Sequence, residues 1–132
     1  MREERAIIIA ILVYAIAEAA WLFFMRPFYS KRFARINKDN LLLIRSKLAV
    51  AIIYPLLLGA AYLLVVRRIR ENRNMNRLVE SLLYGALFGA CVYGVYNLTN
   101  MATLAGYSWD LVVIDTIWGS VSMALFSLLC SL

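Results

Sequence analysis

A chain of 132 residues has room for one domain. It is 64% hydrophobic with a mean hydropathy of +0.75, whereas an ordinary soluble domain is roughly half apolar, and so short a chain has too little interior to hide the surplus. Its 14 basic and 8 acidic residues give a net charge of +6, yet all but three of them fall in 1–5, 26–47 and 67–80, which excludes the evenly charged surface of a water-soluble domain.

Apolar windows of about 20 residues are long enough to cross a bilayer as helices. Four such windows occur, at about 6–25, 48–66, 78–100 and 109–132. In lipid only a helix or a closed barrel satisfies its own backbone, and the runs are continuous rather than alternating, which argues against barrel strands. The expected architecture is therefore all-α, an integral membrane four-helix bundle, with 1–132 a single multi-pass transmembrane domain.

The first span lies between Arg5 and Arg26. Arg2, Arg5 and the Ala-rich stretch near Glu18 imitate a signal peptide. The apolar run continues through Trp21-Leu22-Phe23-Phe24-Met25, which a cleaved leader does not need, so a retained span is expected. In the segment that follows, Phe28, Tyr29, Phe33 and Ile36 interleave with Lys31, Arg32, Arg35 and Lys38. That pattern suits an interfacial helix whose basic residues touch anionic lipid head groups. Because the basic residues flank hydrophobic spans, nucleic acid is not expected as a partner. In the second span Pro55 removes one backbone hydrogen bond beside Tyr54, and a kink is expected there.

Crossing four times places the N-terminus, the 67–80 loop and the C-terminus on one side, here side A. The 26–47 and 101–108 loops then share side B. Seven basic residues fall on each side, so charge bias does not set the orientation or name the membrane. There is no histidine, Cys91 and Cys130 lie at different depths, and no phosphate-binding glycine loop is present. No metal, cofactor or disulfide is expected.

The informative residues are polar ones inside apolar spans. At the helical rise of 1.5 Å per residue, Glu18 lies ~11 Å and Asp115 ~9 Å below the side B boundary. Tyr54, Asn97, Thr99 and Asn100 fall in the same layer, so all four spans contribute to it. Helical spacing puts Tyr14, Glu18 and Trp21 on one face, Tyr93, Asn97 and Asn100 on another, and Asp115, Gly119 and Ser122 on a third. Gly85 and Gly89 open a small-residue seam on the third helix, with Gly119 on the fourth. Asn, Thr and Tyr alone would read as hydrogen-bonded glue between helices. Carboxyl groups point further, because an ionised acid at a helix centre costs ~2.5–3.5 kcal/mol even on lenient insertion scales. With no Lys or Arg inside any span, Glu18 is expected neutral and donating to Tyr54 or Asn97.

The stretch Gly85–Gly106 followed by Val113–Gly119 resembles a family of small membrane proteins of unknown function. Its members carry a Tyr-acid-Leu-Thr-Asn-x-Ala-Thr pattern and then Val-x-Asp-x-x-Trp-Gly. Tyr96, Leu98, Thr99, Asn100, Ala102, Thr103, Asp115, Trp118 and Gly119 match it. Two positions depart: Asn97 stands where the family has Asp, and Glu18 where it has Asp. The resemblance implies four membrane helices and no established activity.

These observations lead to an expected intramembrane site that binds or conducts a proton, cation or small solute. Its residues are Glu18, Tyr54, Asn97, Thr99, Asn100 and Asp115, with Tyr96 and Thr103 added by the resemblance. A membrane enzyme or enzyme subunit acting on lipid, with Glu18 or Asp115 as general acid or base, is the alternative. A structural or assembly protein is the third reading. Four short helices enclose little space of their own, so self-association or a membrane partner is expected beside the lipid bilayer.

Overall fold

The computed structural model describes residues 2–36, 46–74 and 76–132. Lys38, one of the residues expected at a lipid head group, lies outside them. The described chain forms four helices: α1 (Arg2–Phe33), α2 (Lys47–Glu71), α3 (Arg77–Thr103) and α4 (Trp109–Ser131). All four are long and apolar enough to cross a membrane, and no strand occurs among the described residues. The protein is an all-α integral membrane bundle, as the apolar runs predict.

Local chemistry sets the helix starts. Ser46 Oγ accepts from the Ala49 amide at 3.1 Å and opens α2. Asn76 Oδ1 accepts from Val79 at 3.3 Å and opens α3. Helix α4 begins after an extended Ser108 with Asp110 in its first turn, where the helix dipole favours an anion. Before it, Gly106 adopts φ +83°, and a Cβ there would lie 2.7 Å from the Arg35 carbonyl oxygen. Only glycine fits that turn.

Two helices overrun their expected ends. Helix α1 continues through Pro27 to Phe33, so the described part of the segment expected as an interfacial helix is continuous with the first helix. The extension is held from within, since Tyr29 is buried with Tyr107, Leu111 and Val112 in an apolar cluster near side B. Helix α2 runs past Val66 to Glu71, passing through a π-helical turn at Tyr62–Val66 in which the Arg67 amide bonds back to the Tyr62 carbonyl.

Helices α3 and α4 form the most extensive contact, α1 packs on α4, and α2 joins chiefly through its π-helical end. The α3–α4 contact is backbone on backbone. A Cβ on Gly89 would overlap the Gly119 carbonyl, one on Gly119 would overlap the Tyr93 ring, and one on Gly85 would lie 2.7 Å from the Met123 carbonyl oxygen. A second apolar cluster, Ala10, Tyr14, Ala61, Val66, Met123, Phe126 and Cys130, fills the bundle towards side A. Buried polar residues are not confined to the side B half, because Ser81, Ser127 and Ser131 are wholly buried near side A. Sequence inspection passed over them because serine is small and uncharged. Phe23, Phe24 and Leu56 are among many large apolar side chains facing outward, as a lipid-facing surface requires.

The crossings alternate. On side A, Tyr62 hydrogen-bonds Glu3, Arg70 lies 3.4 Å from Glu3, and Arg70 donates to the Cys130 carbonyl. On side B, Arg32 Nε donates to Asp110 Oδ2 at 2.7 Å, and Arg32 lies over the Phe28 ring.

The glycine geometry yields a paired test. Gly89→Ala is expected to lower stability by ~1–3 kcal/mol through overpacking against backbone that cannot yield. Gly59 has nothing within 4 Å of a built Cβ, so Gly59→Ala is expected to be neutral or to gain up to ~1 kcal/mol of helix propensity. Thermal unfolding in detergent measures both, and equal melting temperatures would mean that the seam does not hold the bundle.

Candidate functional site

Three helices and one loop converge on the two intramembrane acids. Glu18 on α1 accepts through Oε1 from Trp118 Nε1 of α4 at 2.7 Å and from the Tyr14 hydroxyl, one turn earlier, at 3.2 Å. Tyr14 in turn meets the Tyr93 hydroxyl of α3 at 3.2 Å. Asp115 on α4 accepts through Oδ1 from Tyr29 of α1 at 2.8 Å and through Oδ2 from Asn97 Nδ2 of α3 at 2.7 Å. The Tyr29 hydroxyl itself accepts from Trp21 Nε1 at 3.0 Å.

Asn97 is fully buried and fully used. Its Nδ2 donates to the Tyr93 carbonyl at 2.8 Å as well as to Asp115, while its Oδ1 accepts from Tyr107 at 2.5 Å. The Tyr93 carbonyl can only accept, so the amide has one workable orientation. The two acids are linked through their indoles. Trp21 and Trp118 stack with ring centroids 4.4 Å apart and planes 4° from parallel. One indole donates directly to Glu18, and the other reaches Asp115 through Tyr29.

Glu18, Asn97 and Asp115 are thus brought together, and other expected members are not. Tyr54 packs edge-on against the Tyr14 ring at 6.2 Å, and among the described residues neither Tyr54 nor Asn97 hydrogen-bonds Glu18. Glu18 accepts rather than donates in both of its bonds. Helix α2 therefore supplies ring contact and no polar group to the network. Tyr96 points outward at 56% exposure. Thr103 turns back onto the Thr99 carbonyl at 2.7 Å, a bond within its own helix. The Asn100 carbonyl caps the helix end by accepting from Leu104. Of the basic residues expected at head groups, Lys31 and Arg35 are exposed and Arg32 is engaged by Asp110.

Tyr29 and Tyr107 are members that sequence inspection did not place in the layer, while Tyr93 entered it only as a neighbour of Asn97 on one helix face and Trp118 only through the resemblance. A signal existed for Trp118. An indole far from either interface needs a partner for its N–H, and Glu18 is that partner. No comparable signal marks Tyr107, which lies in a loop.

The model of a family described as predicted membrane protein (DUF2177) matches residues 5–132. No curated protein and no solved structure matches the chain.

Replacing Asn97 tests the network directly. Asn97→Leu removes the partners of Tyr107 and of one Asp115 oxygen, and is expected to cost ~1–3 kcal/mol. Tyr96→Leu, on the outward face of the same helix, is expected to change stability by less than ~0.5 kcal/mol. Melting curves of both variants in one detergent decide it, and a silent Asn97→Leu would show the network to be dispensable for folding.

Proposed function

We propose, for a chain that belongs to the DUF2177 family of predicted membrane proteins, that the Glu18–Asp115 layer is an intramembrane site for a proton or a small cation. One observation carries this reading: two carboxyl groups share a layer in which every hydrogen-bond donor is neutral. Neutral donors ease the desolvation of an anion without cancelling its charge. On side B, Arg32 is committed to Asp110. Positive charge must therefore come from outside the protein, as a proton or as a cation.

The hydrogen-bond pattern supports a place for it. Both bonds to Glu18 fall on Oε1, so Oε2 is the oxygen that receives the proton or ion. The stacked indoles add electron-rich ring faces beside the acids, which favour a cation over an anion. In this reading Glu18 is the loading residue and Asp115, held on both oxygens, sets the local negative potential. Assembly with a second copy or a membrane partner belongs to the same proposal, since one four-helix bundle offers little enclosed path. A particle that stays monomeric at every concentration in lipid nanodiscs would remove that part.

A second reading has its own support. The Asn97 amide is satisfied on all sides, which is what a purely structural cluster needs. Infrared titration in liposomes separates the two. The site reading expects a carboxyl band that changes with pH or with added cation. That band is lost in Glu18→Gln and shifted in Asp115→Asn, with helical content retained in both. Spectra of the two variants that match the unsubstituted protein across the titration would leave only the structural cluster.

A further inference from the structure

The π-helical end of α2 does not close against α3. Between them runs a groove of about 240 Å³, walled by Leu64, Val65 and Ile69 on one side and by Leu87, Phe88 and Cys91 on the other. Leu64 is 66% exposed and Leu87 56% exposed, so the groove opens outward rather than into the bundle. Its position on α3 fixes its depth. Cys91 stands fourteen residues beyond Arg77, about 21 Å along the helix, while one leaflet of hydrocarbon is roughly 15 Å deep. The groove therefore runs from the side A interface through the adjoining leaflet.

Its mouth is charged. Arg68 lines the groove at the interfacial end, is exposed, and has no ion pair among the described residues. Its neighbours differ, because Arg67 is paired with Glu71 at 2.8 Å and Arg70 lies 3.4 Å from Glu3. Tyr84 also lines the groove, about 10 Å beyond Arg77 along α3. The combination is one guanidinium at head-group level above an apolar channel that faces the membrane.

We infer that this groove is a binding site for one anionic phospholipid of the side A leaflet, its phosphate on Arg68 and one acyl chain between α2 and α3. A soluble apolar ligand would not explain the guanidinium at the mouth, and a zwitterionic lipid would gain less from it. A second copy of the chain would have to bring Glu4 or Glu80 to Arg68, since Glu71 and Glu3 are committed to Arg67 and Arg70 in the two pairs above, whereas an anionic leaflet presents its phosphates at that level.

Native mass spectrometry of the full chain, with phosphatidylglycerol or phosphatidylcholine of identical acyl chains added in detergent, tests this. Phosphatidylglycerol is expected to be retained about fivefold better. Arg68→Gln is expected to abolish the preference, and Arg67→Gln to leave most of it. Leu87→Trp, which fills the groove from its exposed wall, is expected to reduce retention of both lipids. As a check independent of that variant's folding, a phosphatidylglycerol with a photoreactive acyl chain should label the Tyr84–Cys91 stretch of the unsubstituted protein. Equal retention of the two lipids, an undiminished preference in Arg68→Gln, or labelling spread evenly over the four helices would each overturn the assignment.

Discussion

Everything in this bundle depends on the backbone contact between α3 and α4. Inside a bilayer the lipid is as apolar as leucine, so no hydrophobic force drives helices together, and close van der Waals packing has to do it. Glycines at 85, 89 and 119 remove the side chains that would hold the two backbones apart. The approach has a further consequence one or two turns on. With Gly119 against the Tyr93 ring, Asn97 arrives within hydrogen-bonding distance of Asp115. The packing seam and the polar layer are consecutive stretches of one interface.

That layer is arranged around the cost of polar groups in hydrocarbon. Each carboxyl receives two donors, and the donors are themselves anchored by ring stacking or by further hydrogen bonds. Much of the anchoring falls to α1. Its extension beyond the apolar run buries Tyr29 against α4 and completes the Trp21–Tyr29–Asp115 relay. The surface pair Arg32–Asp110 marks the same junction from outside. Being half in water, with side chains 24% and 47% exposed, it is worth at most ~1 kcal/mol and serves more to set register than to stabilise.

Helix α2 is the contrasting element. It contributes Ala61 and Val66 to the interior and an edge-on ring to Tyr14, but no hydrogen bond to the acidic layer among the described residues. Its firm attachment is at side A, where Arg70 joins Glu3 of α1 and the last turn of α4. The outward groove lies beside this helix, between α2 and α3, and not between α3 and α4, whose glycines bring the backbones together.

The four crossings were legible in the sequence because an apolar run bounded by charge is a local property of composition, and the bilayer imposes its own length on it. That Glu18, Asn97 and Asp115 fall in one layer was legible for the same reason, since rise per residue converts position in the chain into height along each helix. The glycine seam followed from spacing alone. Azimuth did not follow. Tyr54 and Trp118 both lie in apolar spans, and only the rotation of each helix about its axis decides which of them can reach Glu18. Trp118, a hundred residues away in the chain, won that position because α1 packs on α4 and only loosely against α2. The end of α1 was likewise beyond composition. Lys31, Arg32 and Arg35 read as the basic face of an interfacial helix, whereas burial of Tyr29 against Leu111 and Val112 of α4 continues the first helix through them. Depth is set by the chain's own length and chemistry, but hydrogen-bond partners are set by which helices touch, and that belongs to tertiary packing.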